Sequence, residues 1–176
     1  MAKNKVIAEG AFTNDTKKII NDNFADVSRC STQFTATSGT TGTTLTNVTG
    51  LVTDTLLPGT YYVRGNLITT ATANSGFKAG LKFGTASMLT SVQLTVQAFT
   101  ASAVAVTTFT TATDAASLVA ATSAYVNVSF EGTIVVATAG TLQLQAAQNA
   151  SHADTTSVEV GSTMLFTPIG AVVGQV

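Results

Sequence analysis

Ser151, His152 and Asp154 sit in one short segment and are the residue types of a nucleophile, a general base and its orienting carboxylate. Acyl transfer needs those groups preorganised, and positions i, i+1 and i+3 of a polar loop do not build that constellation, so His152 reads as a solvated loop histidine. It is the only histidine, which excludes a metal site with two His ligands. Asp114, Asp154 and Glu159 are candidates for a Ca²⁺ site if the fold brings them together. A hard cation needs several oxygen ligands, and no short Asp/Asn-rich loop supplies them, so these read as surface acids. Gly39, Gly42, Gly50 and Gly59 lie in Thr-rich coil without the strand-to-helix setting of a phosphate loop. Cys30 is the only cysteine; it cannot form an intramolecular disulfide and reads as a small buried or partly buried thiol. Tyr61, Tyr62 and Tyr125 among Thr, Ser and Asn offer the aromatic faces, hydroxyls and amides that hold a sugar, although Trp is absent and strand tyrosines usually serve packing. These residues predict no enzyme, no cofactor and no metal.

The charges are unevenly placed. Nine of the chain's seventeen charged side chains precede residue 31, leaving Asp54, Arg64, Lys78, Lys82, Asp114, Glu131, Asp154 and Glu159 for the rest of its 176 residues. Globular domains normally carry about a quarter charged residues, and this chain has 10%, with hydroxyls and amides in their place. The split predicts a charged head that engages a partner and a nearly neutral body that sits among copies of itself. A net charge of −1 and the lack of a basic stripe with interleaved aromatics argue against nucleic acid. Phe83 to Thr113 carries no charge, but Gln93, Thr95, Gln97 and several threonines largely alternate with apolar residues there, which is a strand period and not a membrane span. No apolar run of signal-peptide length follows Met1-Ala2-Lys3-Asn4-Lys5, so synthesis in a cytoplasm without a standard export signal is expected.

Residues 1–30 hold the one predicted helix. Thr13-Asn14-Asp15 offers a cap, and Ile19, Ile20, Phe24 and Val27 recur near helical spacing. Asn and Asp on its other face are poor helix formers, so the helix is short and needs a docking surface. Residues 31–50 are a Thr/Gly tract, read as a linker running into a first strand near Leu45–Val52, with an edge strand formed only on assembly as the alternative. From Leu51 onward period-2 alternation dominates, in Phe77–Phe83, Val92–Ala98, Val126–Phe130 and Leu142–Ala146, with 102–111 a further strand and Thr113–Val119 a loop or single helical turn. Eight or nine strands in about 120 residues predict an all-β antiparallel sandwich or barrel, one face of each sheet being wet.

Two segments carry a resemblance. Phe130-Glu131-Gly132-Thr133-Ile134-Val135-Val136 running through Gly140-Thr141-Leu142-Gln143-Leu144-Gln145-Ala146-Ala147-Gln148-Asn149, followed by Gly161-Ser162 and an apolar last strand, resembles the closing strands of TNF/C1q-like trimeric jelly rolls found in tailed-bacteriophage virion proteins. Thr13 to Val27 resembles a short helical tract near the start of phage structural proteins. The resemblance implies a jelly-roll domain over 51–176, an anchoring arm over 1–50 and a homotrimer on the virion surface. It implies a capsid decoration or cement protein bound to the major capsid protein or another virion protein, with Phe12, Ile19, Ile20, Phe24 and Val27 packing on the shell or on neighbouring arms. The alternative is the receptor-binding tip of a tail fibre or spike, with a host surface glycan as partner; the chain lacks a shaft, which counts against it. A helix folded back on its own domain is the competing fate of the arm.

Overall fold

The structure, a computed structural model, describes residues 29–31, 38–85, 87–110, 112, 116–121 and 127–169. They form twelve strands: β1 (Arg29–Ser31), β2 (Ser38–Thr40), β3 (Thr46–Val52), β4 (Gly59–Thr70), β5 (Phe77–Phe83), β6 (Leu89–Phe99), β7 (Val104–Phe109), β8 (Ala116–Ala121), β9 (Asn127–Val136), β10 (Leu142–Ala147), β11 (Thr156–Val158) and β12 (Thr163–Pro168). All pairings are antiparallel. The larger sheet runs β1-β12-β4-β9-β6-β7, with β11 joining β4 to β2; the smaller runs β3-β10-β5-β8. No helix occurs among the described residues, and the predicted helix over Thr13–Val27 lies outside them.

Each long strand buries alternate positions. β4 turns Tyr61, Val63, Leu67 and Thr69 inward and Tyr62, Arg64, Asn66 and Ile68 outward; β6 turns Val92, Leu94, Val96 and Ala98 inward. These meet Phe77, Ala79, Leu81, Leu142 and Leu144 of the smaller sheet in one apolar core. Two faces of alternating strands closing on each other is the outcome that period-2 patterning dictates.

Two segments depart from the sequence reading. Ser38–Thr40, expected as linker, pairs with β11 of its own chain, whereas β3 falls where the first strand was expected, near Leu45–Val52. Ala116–Val119 belongs to strand β8, paired with β5, where Ala-rich composition left loop and helical turn open. β11 and the last strand β12 are separated by a turn at Glu159–Ser162. Gly161 takes φ +94 there, a backbone region that side chains with a Cβ rarely enter, and Ser162 Oγ accepts the Ile68 N–H at 3.0 Å and donates to the Glu159 carbonyl at 2.8 Å.

The β3–β10 ladder is irregular. Gln143 faces Val52 and Gln145 faces Asn47, so an advance of two positions along β10 matches one of five along β3. The carbonyls thrown out of register are satisfied by Gln143, whose Nε2 donates to Val48 O and Leu51 O, each at 2.9 Å. A side-chain amide takes the place of missing backbone rungs.

Candidate functional site

The outward face of the larger sheet is built as rungs set by strand register. One rung reads Leu165–Arg64–Glu131–Thr95 across β12, β4, β9 and β6. The next reads Thr163–Asn66–Ser129–Gln97, ending on Val106 of β7. Together they line a concavity of about 520 Å³, within the range of small-molecule sites. A shallower depression of about 430 Å³ continues from it, sharing Asn66 and Ser129 and reaching Asn127 and Phe99. The result is a groove of amides and hydroxyls with one aromatic ring toward its far end.

The groove's two charges are asymmetric. Glu131 Oε2 accepts a hydrogen bond from the Tyr62 phenol at 3.1 Å, which orients the carboxylate along the sheet. Arg64 stands directly opposite Glu131 in the ladder, yet makes no hydrogen bond or ion pair among the described residues. Its guanidinium is exposed and carries five N–H donors. The Tyr62 phenol is held above its ordinary 10.0, first by the hydrogen bond it donates to Glu131 and then by burial and that carboxylate's charge, with Arg64 acting the other way. A pKa raised in the fold means the protonated phenol is the form that folding favours. Its contribution is fully present below pH 10 and fades as pH rises through the raised value. In a ¹³C-tyrosine NMR titration, with Tyr62→Phe identifying the resonance, Glu131→Gln should move the Tyr62 midpoint down; an unmoved midpoint would remove the hydrogen bond as its cause.

The Ser151–His152–Asp154 segment folds into a clasp. His152 Nδ1 lies 3.1 Å from Asp154 Oδ2 and accepts the Asp154 N–H at 3.2 Å. Asp154 Oδ2 accepts from Thr72 Oγ1 at 2.8 Å, Thr72 meets Ser75 Oγ at 3.1 Å, and Ser75 meets Thr156 Oγ1 at 3.1 Å. Gln148, fully buried, donates to the Asp154 carbonyl and accepts the His152 N–H. Ser75 and Thr156 are also fully buried. No hydroxyl among the described residues is hydrogen-bonded to the imidazole, so the segment makes no nucleophile–base pair. The network ties the Thr72–Gly76 turn to the loop between β10 and β11.

Of the other residues singled out in the sequence, Phe12, Ile19, Ile20, Phe24, Val27, Asp114 and Tyr125 lie outside the described residues. Cys30 falls in β1, paired with Leu165. Among the described residues no three His, Cys, Asp or Glu side chains gather as a metal site; Asp154 bonds Thr72, and Glu159 accepts from Ser157 at 2.5 Å. Tyr61 is buried, its hydroxyl donating to Leu57 O at 2.8 Å, so of the two described tyrosines only Tyr62 reaches the outward face. Asn66, Gln97 and Ser129 were not singled out. Each is an ordinary wetted-face residue in its own strand, and only cross-strand register shows that they converge.

No family model, curated protein or solved structure matches the chain.

Proposed function

We propose that the chain is a structural protein of a tailed-phage particle, a homotrimeric jelly-roll knob that decorates and stabilises the capsid through an N-terminal arm preceding β1. Strand order supports the jelly-roll reading. Leaving out the β6–β7 hairpin, successive strands from β3 to β10 alternate between the sheets, which then read β1-β12-β4-β9 and β3-β10-β5-β8. That is the order of a jelly roll wound from two Greek keys, with one hairpin inserted that widens the larger sheet.

The observation that carries self-association is β7. Among the described residues it pairs only with β6, and Val104 to Thr108 are exposed on both faces, with Val104 at 54% and Val106 at 61%. A free edge is normally blunted by Lys, Pro or a bulge, and Val104–Phe109 has none of these. A neutral β-branched edge suits burial against another copy, since the buried centres of interfaces are depleted of charge. A head-to-tail contact from each hairpin to its neighbour closes into a ring, and with three copies gives the trimer that the resemblance implies.

Light scattering on the eluted peak should give the mass of three 17.9-kDa chains for the native protein, and a monomer for the Val104→Lys, Val106→Lys double variant with an unchanged circular dichroism spectrum. A native monomer, or a Lys variant that stays trimeric, would refute this surface. Capsid attachment is tested separately. Electron microscopy of particles should show three-lobed knobs on the shell, and removal of residues 1–28, which spares β1, should leave a soluble trimer that no longer binds. Density confined to the tail tip would favour the receptor-binding alternative instead.

A further inference from the structure

The groove on the larger sheet combines three features that select a class of ligand. First, Arg64 presents an exposed guanidinium at one end, unpaired among the described residues, and its planar fork matches a carboxylate bidentately. Second, the rung beside it supplies Asn66, Ser129 and Gln97, neutral groups that both donate and accept, which suits a ligand dense in hydroxyls. Third, the far depression offers Phe99, a half-buried ring on which the C–H face of a sugar can rest. Glu131 narrows the choice further. Fixed by Tyr62, it accepts hydroxyl hydrogens and repels a second negative charge, so a singly charged acid fits where a phosphate dianion does not.

We infer that this groove is a binding site for a carboxylate-bearing saccharide, a uronic or sialic acid residue within a surface glycan. Arg64 takes the carboxylate, Asn66, Ser129 and Gln97 take ring hydroxyls, and the adjoining residue of the glycan runs toward Phe99. The inference deepens the glycan-binding reading by assigning it a site and an ionic class, and it is independent of where on a particle the protein sits.

The test uses the full-length protein and three probes: methyl glucuronide, the methyl glycoside of N-acetylneuraminic acid, and neutral methyl glucoside. Acetate and inorganic phosphate serve as ionic controls. Each is followed by NMR shifts of the Asn66 and Gln97 side-chain amides. At least one acidic sugar should saturate these shifts at lower concentration than methyl glucoside. Arg64→Gln should weaken the acidic sugar at least about tenfold while leaving the neutral one unchanged, as expected for loss of a charge-assisted pair. Arg64→Lys should fall between, because it keeps the charge and loses the fork. Both changes are on an exposed side chain, and thermal unfolding verifies that the fold is kept. Should Arg64→Gln fail to fold, Gln97→Ala must still weaken acidic and neutral sugars alike. Equal response to acidic and neutral sugar, an equal response to acetate or phosphate, an Arg64→Gln variant that binds normally, or no shift at all would each overturn the assignment. Loss of sugar binding with the trimer intact would sink this inference alone, whereas particle imaging decides the virion reading.

Discussion

Gly132→Ala should cost the domain a large share of its stability. Gly132 lies in β9 between Val63 of β4 and Leu94 of β6, so it has a strand on each side. It adopts φ +154, and a Cβ built there lies 1.9 Å from the Gln93 carbonyl oxygen and 2.9 Å from both the Gln93 carbonyl carbon and the Leu94 Cα. These are backbone atoms of β6, which is hydrogen-bonded on both edges, so no rotamer change relieves the clash. Overpacking costs about 1–3 kcal/mol and an unfavourable backbone conformation of about the same size adds to it. A total near 4 kcal/mol compares with whole-domain stabilities of about 5–15 kcal/mol. Urea denaturation followed by circular dichroism, at one protein concentration because assembly is coupled to folding, measures the loss. Gly42→Ala is the control: its added Cβ meets only Thr40 Oγ1 at 4.0 Å, and the cost should stay within about 0.5 kcal/mol. A Gly132→Ala midpoint equal to that of the control would show that β6 can retreat from β9.

This tight approach is an example of what a strand pattern conceals. The sandwich itself was legible, because Val63 and Leu67, Val92 to Ala98 and Leu142 to Ala146 alternate with polar residues wherever one face is wet. Which sheet each strand joins was not. Leu89–Phe99 pairs with β9, some 30 residues later in the chain, and nothing local distinguishes that partner from any other. β8 escaped because Ala has little strand preference, and β2 because a Thr/Gly tract without large apolar groups reads as coil. Gln143 shows the limit from the other side. Its alternation with Leu142 and Leu144 marks it as a solvent-facing residue, yet its amide satisfies two carbonyls freed by an irregularity in a strand 90 residues away.

The groove follows the same logic. Tyr62 was a candidate sugar contact in the sequence, and the structure places it on the outward face with its hydroxyl on Glu131. Arg64 and Glu131 are 67 positions apart and become neighbours only through β4–β9 register. The one signal available in advance was the scarcity of charge. Where most outward positions are Thr, Gln, Asn and Ser, the few charges that remain stand out, and Arg64 and Glu131 are two of the eight charged residues after residue 30. The arm residues Phe12 to Val27 form the other half of the functional reading and rest on the resemblance and the particle-binding test.

Gly65 and Phe130 make the second large effect, and here the obstacle is a side chain. They face each other across the β4–β9 ladder, and the Phe130 ring, 1% exposed, lies over the glycine. A Cβ on Gly65 would stand 2.1 Å from Phe130 Cζ and 2.4–2.5 Å from both Cε atoms. The missing side chain therefore makes the space that a core aromatic fills. Gly65→Ala must displace the ring within a packed core, at about 2–3 kcal/mol. Phe130→Ala leaves a cavity and should cost about 4 kcal/mol. With both changes the new methyl enters space that the ring has vacated, so the double variant should lose less than the sum, by about 1–2 kcal/mol. Simple additivity in this cycle would mean that the ring does not rest on Gly65. The same Phe130 truncation gives a sharper contrast at Gly132. Removing the ring leaves the Gln93 carbonyl where it was, so Phe130→Ala should not rescue Gly132→Ala. Rescue at Gly65 without rescue at Gly132 would separate a glycine that accommodates a ring from one that accommodates a neighbouring strand.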